Sequence, residues 1–141
     1  MNIDSIKNGY VIDHITAGNA MKIYEALELN KINAQVAIIT NAKSQKTGKK
    51  DIIKIDEKTD LDFNKLGFLE PGATVNVIEN DAIIEKKILE LPDIIEDVAR
   101  CKNPRCITSI ERDLKQIFIL TDRENKVYRC KYCESSLKNE A

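Results

Sequence analysis

Four cysteines carry the densest chemistry in this chain. They fall as two close pairs, Cys101-Lys-Asn-Pro-Arg-Cys106 and Cys130-Lys-Tyr-Cys133, separated by about two dozen residues. Each pair suits a tight knuckle, and the span between them is long enough for a hairpin that brings the knuckles together. Four thiolates close the tetrahedral shell of a zinc ion and leave no position for water or substrate. The spacing therefore predicts one structural zinc per chain, bound by Cys101, Cys106, Cys130 and Cys133. Two readings compete. A pair of disulfides requires an oxidising compartment, and no export signal is seen. A redox pair at Cys130 and Cys133 lacks thioredoxin-like surroundings, and the other pair has the wider spacing.

Catalytic constellations are absent from the sequence. There is one histidine, His14, and the five glycines are scattered, so neither a P-loop nor a G-x-G-x-x-G turn is present. Carboxylate pairs lie in charged stretches that read as solvated faces. Nothing supports an enzyme. The unusual feature of the N-terminal half is Asp13-His14, which interrupts an apolar run. One reading is a strand end with His14 packed and hydrogen-bonded; the other is a site for a polar ligand. Lys54 interrupts a second apolar run between Ile53 and Ile55, and Lys86 and Lys87 interrupt a third. Each lysine is either on the solvent face of its strand or one of several point charges converging on a phosphate.

The elements that position these residues follow from periodicity. Residues 10–15, 34–40, 51–56, 73–79 and 82–90 read as strands, and 41–50 as a polar, lysine-bearing loop. Ala20, Ile23, Tyr24 and Leu27 make one helical stripe, capped by Thr16 or Asn19. Thr59 followed by Asp62 resembles a capping box opening a second helix, with Leu61, Phe63 and Leu66 facing in. The order strand, helix, strand, strand, helix, strand, strand predicts an α+β unit. It is a ferredoxin-like antiparallel sheet with two helices on one face. Leu91-Pro92 is the expected boundary, giving domains 1–91 and 92–141. In the second, 118–121 and 126–129 are short strands of a small zinc-ribbon β domain, too small to rely on a large apolar core.

Composition is that of an ordinary soluble mixture: 43% apolar, 32% charged, seven aromatics and no Trp. A net charge of −1 creates no global field for nucleic acid or membrane. Apolar runs fall far short of a bilayer span. The N-terminus has neither the apolar core of a signal peptide nor a transit composition, so a cytoplasmic location is expected. The alternative function, a zinc-ribbon nucleic-acid-binding protein, is weakened by charge. Residues 92–141 carry Lys/Arg and Asp/Glu in nearly equal number, poor for a phosphate-backbone reader.

Several blocks then converge on a known family. Val11-Ile-Asp-His-Ile15, Gly48-Lys-Lys-Asp-Ile-Ile-Lys-Ile55, Ala73-Thr-Val-Asn76, Cys101-x-x-x-x-Cys106 and Cys130-Lys-Tyr-Cys133-Glu resemble, in order and spacing, the regulatory chain of aspartate carbamoyltransferase. The resemblance implies a non-catalytic subunit of pyrimidine biosynthesis with an N-terminal nucleotide-binding allosteric domain. The C-terminal zinc domain would dock on the catalytic chain and hold catalytic trimers together. It implies CTP as inhibitor, UTP as co-inhibitor in some members, ATP as activator, and pairing of two regulatory chains. Carried over, Asp13 and Lys54 would contact ribose, His14 the phosphate side and Lys86 the phosphates, with Lys50 an additional contact. Ile6, Val11, Asn76, Ile78 and Ile83 would line the base and sugar pocket, and Ser5 would offer a backbone contact. Lys87 is a possible substitute for Lys86, and Asp81 stands where some members carry an aromatic. Asp13 and His14, neighbours on one strand, can reach one ligand at the strand's end or edge, or through a bulge that re-aims one of them; the end or edge is expected.

Overall fold

Alternating apolar residues make strands because successive side chains point to opposite faces of a sheet. In the computed structural model, which describes residues 6–45 and 48–137, the chain divides into two compact units, Met1–Glu90 and Leu91–Ala141. Ser5 lies outside the described residues.

The first unit contains β1 (Gly9–Thr16), α1 (Ala20–Ala26), β2 (Val36–Ser44), β3 (Gly48–Ile55), α2 (Phe63–Leu69), β4 (Thr74–Glu79) and β5 (Ala82–Ile88). The sheet is antiparallel throughout, in the order β2-β3-β1-β4-β5. This is the ferredoxin-like arrangement with one added edge strand. Ile12, Ile53, Ile55 and Val75 on one sheet face pack with Ala20 and Ile23 of α1 and Leu66 of α2 into a single core. Both helices therefore cover the same face. The other face is open.

Three local expectations are corrected. The polar stretch 41–50 is mostly hairpin: β2 runs to Ser44 and β3 begins at Gly48. These strand ends extend past the core, so polar side chains suit both faces. Helix α2 is capped by Asp62, whose carboxylate accepts the Lys65 N–H at 3.0 Å, while the Thr59 hydroxyl oxygen is buried with no partner among the described residues. Asn19 occupies the N-cap of α1 but makes no side-chain cap; its amide donates to Glu70 instead.

The second unit is a four-stranded antiparallel sheet, β6 (Ile94–Glu96), β7 (Ile117–Asp122), β8 (Val127–Cys130) and β9 (Ser136–Leu137), with one short helix, α3 (Ile107–Ile110). Strands β6 and β9 were not foreseen: at three and two residues they are too short to show an alternating pattern. Ile95, Phe118 and Tyr128 are almost fully buried and make its small core. The Tyr128 hydroxyl donates to the Pro92 carbonyl. Among the described residues no helix is long and apolar enough to cross a membrane.

Candidate functional site

The metal site is built from two knuckles. Asn103 shapes the first: its side-chain oxygen accepts the Arg105 N–H at 3.1 Å and its carbonyl accepts the Cys106 N–H at 3.1 Å. In the second, the Cys130 carbonyl accepts the Glu134 N–H at 2.9 Å, and Glu134 adopts a left-handed backbone with φ 64. The four Sγ atoms lie within 4.8 Å of one another. Cys101 and Cys133 are 3.6 Å apart and Cys106 and Cys130 3.7 Å. A tetrahedral ion with metal–sulfur bonds of about 2.3 Å sets its ligands about 3.8 Å apart, so the cluster fits such an ion with little adjustment. None of the four is in a disulfide.

Surrounding groups hold the sulfurs. The Thr108 hydroxyl donates to Cys106 Sγ at 3.1 Å, and the Cys101 N–H donates to Gln116 Oε1 at 3.0 Å. Burial pushes the Cys101 thiol up to about 12 and also raises Cys130, whereas hydrogen bonding from Ser135 draws Cys133 down to about 6. Metal binding would displace the remaining protons, as thiolates are the ligating form.

The second site lies on the open face of the first sheet. Register places Lys54 opposite Val11, Val11 opposite Asn76, and Asn76 opposite Lys86. These four residues, one from each of β3, β1, β4 and β5, form a straight row about 14 Å across, three strand spacings. One row toward the N-terminal end of β1, Ile78 pairs with Ile83. One row toward its C-terminal end, Asp13 pairs with Thr74 and Thr74 with Ile88. The face thus grades from isoleucines to charged groups over about 13 Å, four residues of strand. Within it the Asn76 Oδ1 acceptor is buried and has no hydrogen-bond partner among the described residues. Ile6 is buried.

Asp13 and His14 share that face because β1 bulges. Ile12 pairs with Ile53 but Ile15 pairs with Asp51, so β1 has one residue more than β3 between the two pairs. His14 takes the left-handed conformation, φ 59. Ile12 and Ile15 consequently both point into the core, each 0% exposed, and the two residues between them turn outward. A bulge, rather than the expected strand end or edge, resolves the alternation. His14 Nδ1 hydrogen-bonds with Thr74 Oγ1 at 3.0 Å. Lys50 Nζ lies 2.9 Å from Asp13 Oδ1. Burial pushes the Asp13 carboxyl up, but hydrogen bonds from Lys50 and the His14 amide, with their charges, outweigh it and hold the group below its ordinary value.

Beside this row opens a cleft of about 970 Å³, lined in part by His14, Lys49, Lys50, Thr74, Lys86 and Ile88. It brings together three of the expected site residues, His14, Lys50 and Lys86. Val11, Lys54 and Asn76 sit along the adjoining row, and Ile78 and Ile83 farther out. Lys87 is not among them. It pairs with Val75, on the helix-covered face, and its Nζ sits 4.3 Å from the centroid of the Phe63 ring. It cannot substitute for Lys86 without reversing the strand.

Two buried carboxylates escaped the sequence reading, which took acidic residues as solvated. Asp51 is 0% exposed and Glu70 5%. Glu70 lines the cleft and accepts from the Thr16 N–H at 2.7 Å, the Thr16 hydroxyl, and the Asn19 amide at 3.1 Å. A signal for Asp51 existed: it is in phase with Ile53 and Ile55, the core positions of its strand.

Fold and sites define a class: a ferredoxin-like unit with a cleft lined by His14, Lys49, Lys50 and Lys86, followed by a four-cysteine metal-binding module. Comparison with known proteins narrows it. Residues 1–90 match the family model described as aspartate carbamoyltransferase regulatory chain, allosteric domain, and residues 93–141 match its metal binding domain. A regulatory chain from Clostridium botulinum is 55% identical over 134 residues, covering 95% of this chain and 92% of that one. The Clostridium tetani chain is 52% identical, covering 98% and 96%, and that of Bifidobacterium longum 44%, covering 98% and 99%. The chain belongs to the family of aspartate carbamoyltransferase regulatory chains, which are non-catalytic subunits.

Proposed function

We propose that this chain senses nucleoside triphosphates for a carbamoyltransferase and holds its catalytic trimers together through a zinc-bearing second domain, 92–141. The observation that carries the nucleotide reading is the open face of the first domain, 1–91. There a buried acceptor without a partner among the described residues, Asn76 Oδ1, lies between isoleucines and a cationic cleft. A nucleotide has the matching polarity: an apolar base, hydroxyls, and an anionic tail. In this reading Ile6, Val11, Ile78 and Ile83 face the base and sugar, with a backbone contact from Ser5. Asp13, Lys54 and Asn76 meet the sugar, and His14, Lys50 and Lys86 meet the phosphates. CTP, UTP and ATP are the effectors, acting in pyrimidine biosynthesis in the cytoplasm. The ion is zinc because four thiolates in tetrahedral spacing are its usual structural shell. Two such chains pair through their first domains.

Effector site and docking surface belong to different domains, so an effect on activity is a difference in effector affinity between two states of the assembly. Such couplings are typically about 1–3 kcal/mol. The test is carbamoyltransferase activity against aspartate, with and without CTP or ATP, beside a sizing measurement. Cys101→Ser should release an active catalytic trimer that ignores nucleotide. His14→Ala should leave the assembly intact and blunt only the response. A wild-type assembly indifferent to every nucleotide would refute the proposal.

A further inference from the structure

The bulge that aims His14 has a twin. Across β3 from it, Ile39 pairs with Ile52 but Ala42 pairs with Lys50, so β2 also carries an extra residue. Asn41 in that bulge adopts φ 58, as His14 does with φ 59. Both bulges lie beside Asp51 of β3. The Asp51 carboxylate is turned to the core side and buried, and it accepts three backbone N–H groups from two segments. Asn41 N–H reaches Oδ1 at 3.0 Å; Gly18 and Ala20 N–H reach Oδ2 at 2.9 and 3.1 Å. One carboxylate thereby ties the bulge of β2 to the stretch of chain that leaves β1 and enters α1. Its chain neighbour Lys50 points the other way, to the cleft, where it pairs with Asp13.

We infer that Asp51 is a positioning residue for the anion-binding end of the cleft: it tethers the β2 bulge and the segment that follows the β1 bulge, and so holds the frame from which His14 and Lys50 project. The inference rests on the nucleotide reading above. A buried carboxylate without a cation is costly unless hydrogen bonds satisfy it. Among the described residues no ion pair involves Asp51; three amides do that work. Strands with left-handed residues at a bulge keep that geometry only where the surroundings enforce it. Asp51 supplies the enforcement from beneath while touching no ligand itself.

Asp51→Asn is the informative change. The amide oxygen can still accept Gly18 and Ala20, but the NH2 group then faces the Asn41 N–H, donor against donor, and the β2 bulge loses its tether. The measurement is calorimetric affinity of the full chain for CTP, for inorganic triphosphate and for cytidine. Expected is a loss of about tenfold for CTP and triphosphate, the scale of one hydrogen bond to a charged group, with cytidine unchanged. In a Lys50→Ala, His14→Ala background the same change should have no further effect on triphosphate, because the groups it positions are gone. Asn41→Ile, at an exposed site, strains the same bulge from outside and should reproduce the phosphate-graded loss if Asp51→Asn fails to fold. Equal losses for CTP and cytidine, or persistence of the effect in the doubly substituted background, would overturn the inference. Wild-type chain that bound neither CTP nor triphosphate would instead refute the nucleotide reading.

Discussion

Lys86 and Lys87 are adjacent in sequence and opposite in placement, so replacing each with alanine separates binding from stability. Lys86 stands on the open face beside Asn76 and lines the cleft. If it meets a phosphate, Lys86→Ala removes a hydrogen bond to a charged group, about 1.5–3 kcal/mol, or roughly 10- to 150-fold in affinity. The lysine is exposed, so added salt should shrink the effect. Lys87 sits over Phe63 at 4.3 Å, a cation–π contact of about 0.5–1 kcal/mol at a partly exposed position. Its ion pair with Glu85, at 3.9 Å between half-exposed groups, adds little. Lys87→Ala should therefore lower the melting temperature of the first unit by about 4–8 °C per kcal/mol lost and leave nucleotide affinity unchanged. Titration calorimetry and a thermal scan on the same samples decide it. Loss of affinity in Lys87→Ala equal to that in Lys86→Ala would refute the assignment of the two side chains to opposite faces.

Other outcomes follow from the same geometry. Chelation or Cys130→Ser should unfold the second unit and spare the first, since metal binding is worth on the order of 10 kcal/mol to so small a core and the units have separate cores; a dispersed NMR spectrum for residues 91–137 after chelation would contradict this. Asp13 has a depressed carboxyl, so its contribution to stability is present above its unfolded pKa and lost as pH falls through the folded one; Lys50→Ala should raise the folded value, seen by NMR titration of Asp13. Gly9→Ala should cost about 1–3 kcal/mol by denaturant titration, because a Cβ there would meet the Ile55 carbonyl oxygen at 2.0 Å; a neutral substitution would mean that β1 and β3 can separate locally.

Chemistry that depends on local spacing was legible in the chain itself. The cysteine pairs name a metal cluster because each knuckle is a local turn and four thiolates suit one ion. Alternation placed most of the strands, and their order with the helices predicted the ferredoxin-like sheet. What tertiary structure alone decided is which way particular side chains face. A bulge moves every later residue to the other side, and whether a strand bulges depends on its partner, which is distant in sequence. Hence Asp13 and His14 share a face that alternation would divide, and which of Lys86 and Lys87 faces the open side is settled only once Asn76 and Val75 are known to oppose them. The burial of Asp51 depends likewise on amides from Gly18, Ala20 and Asn41, which converge on it only when three strands and the start of a helix are assembled.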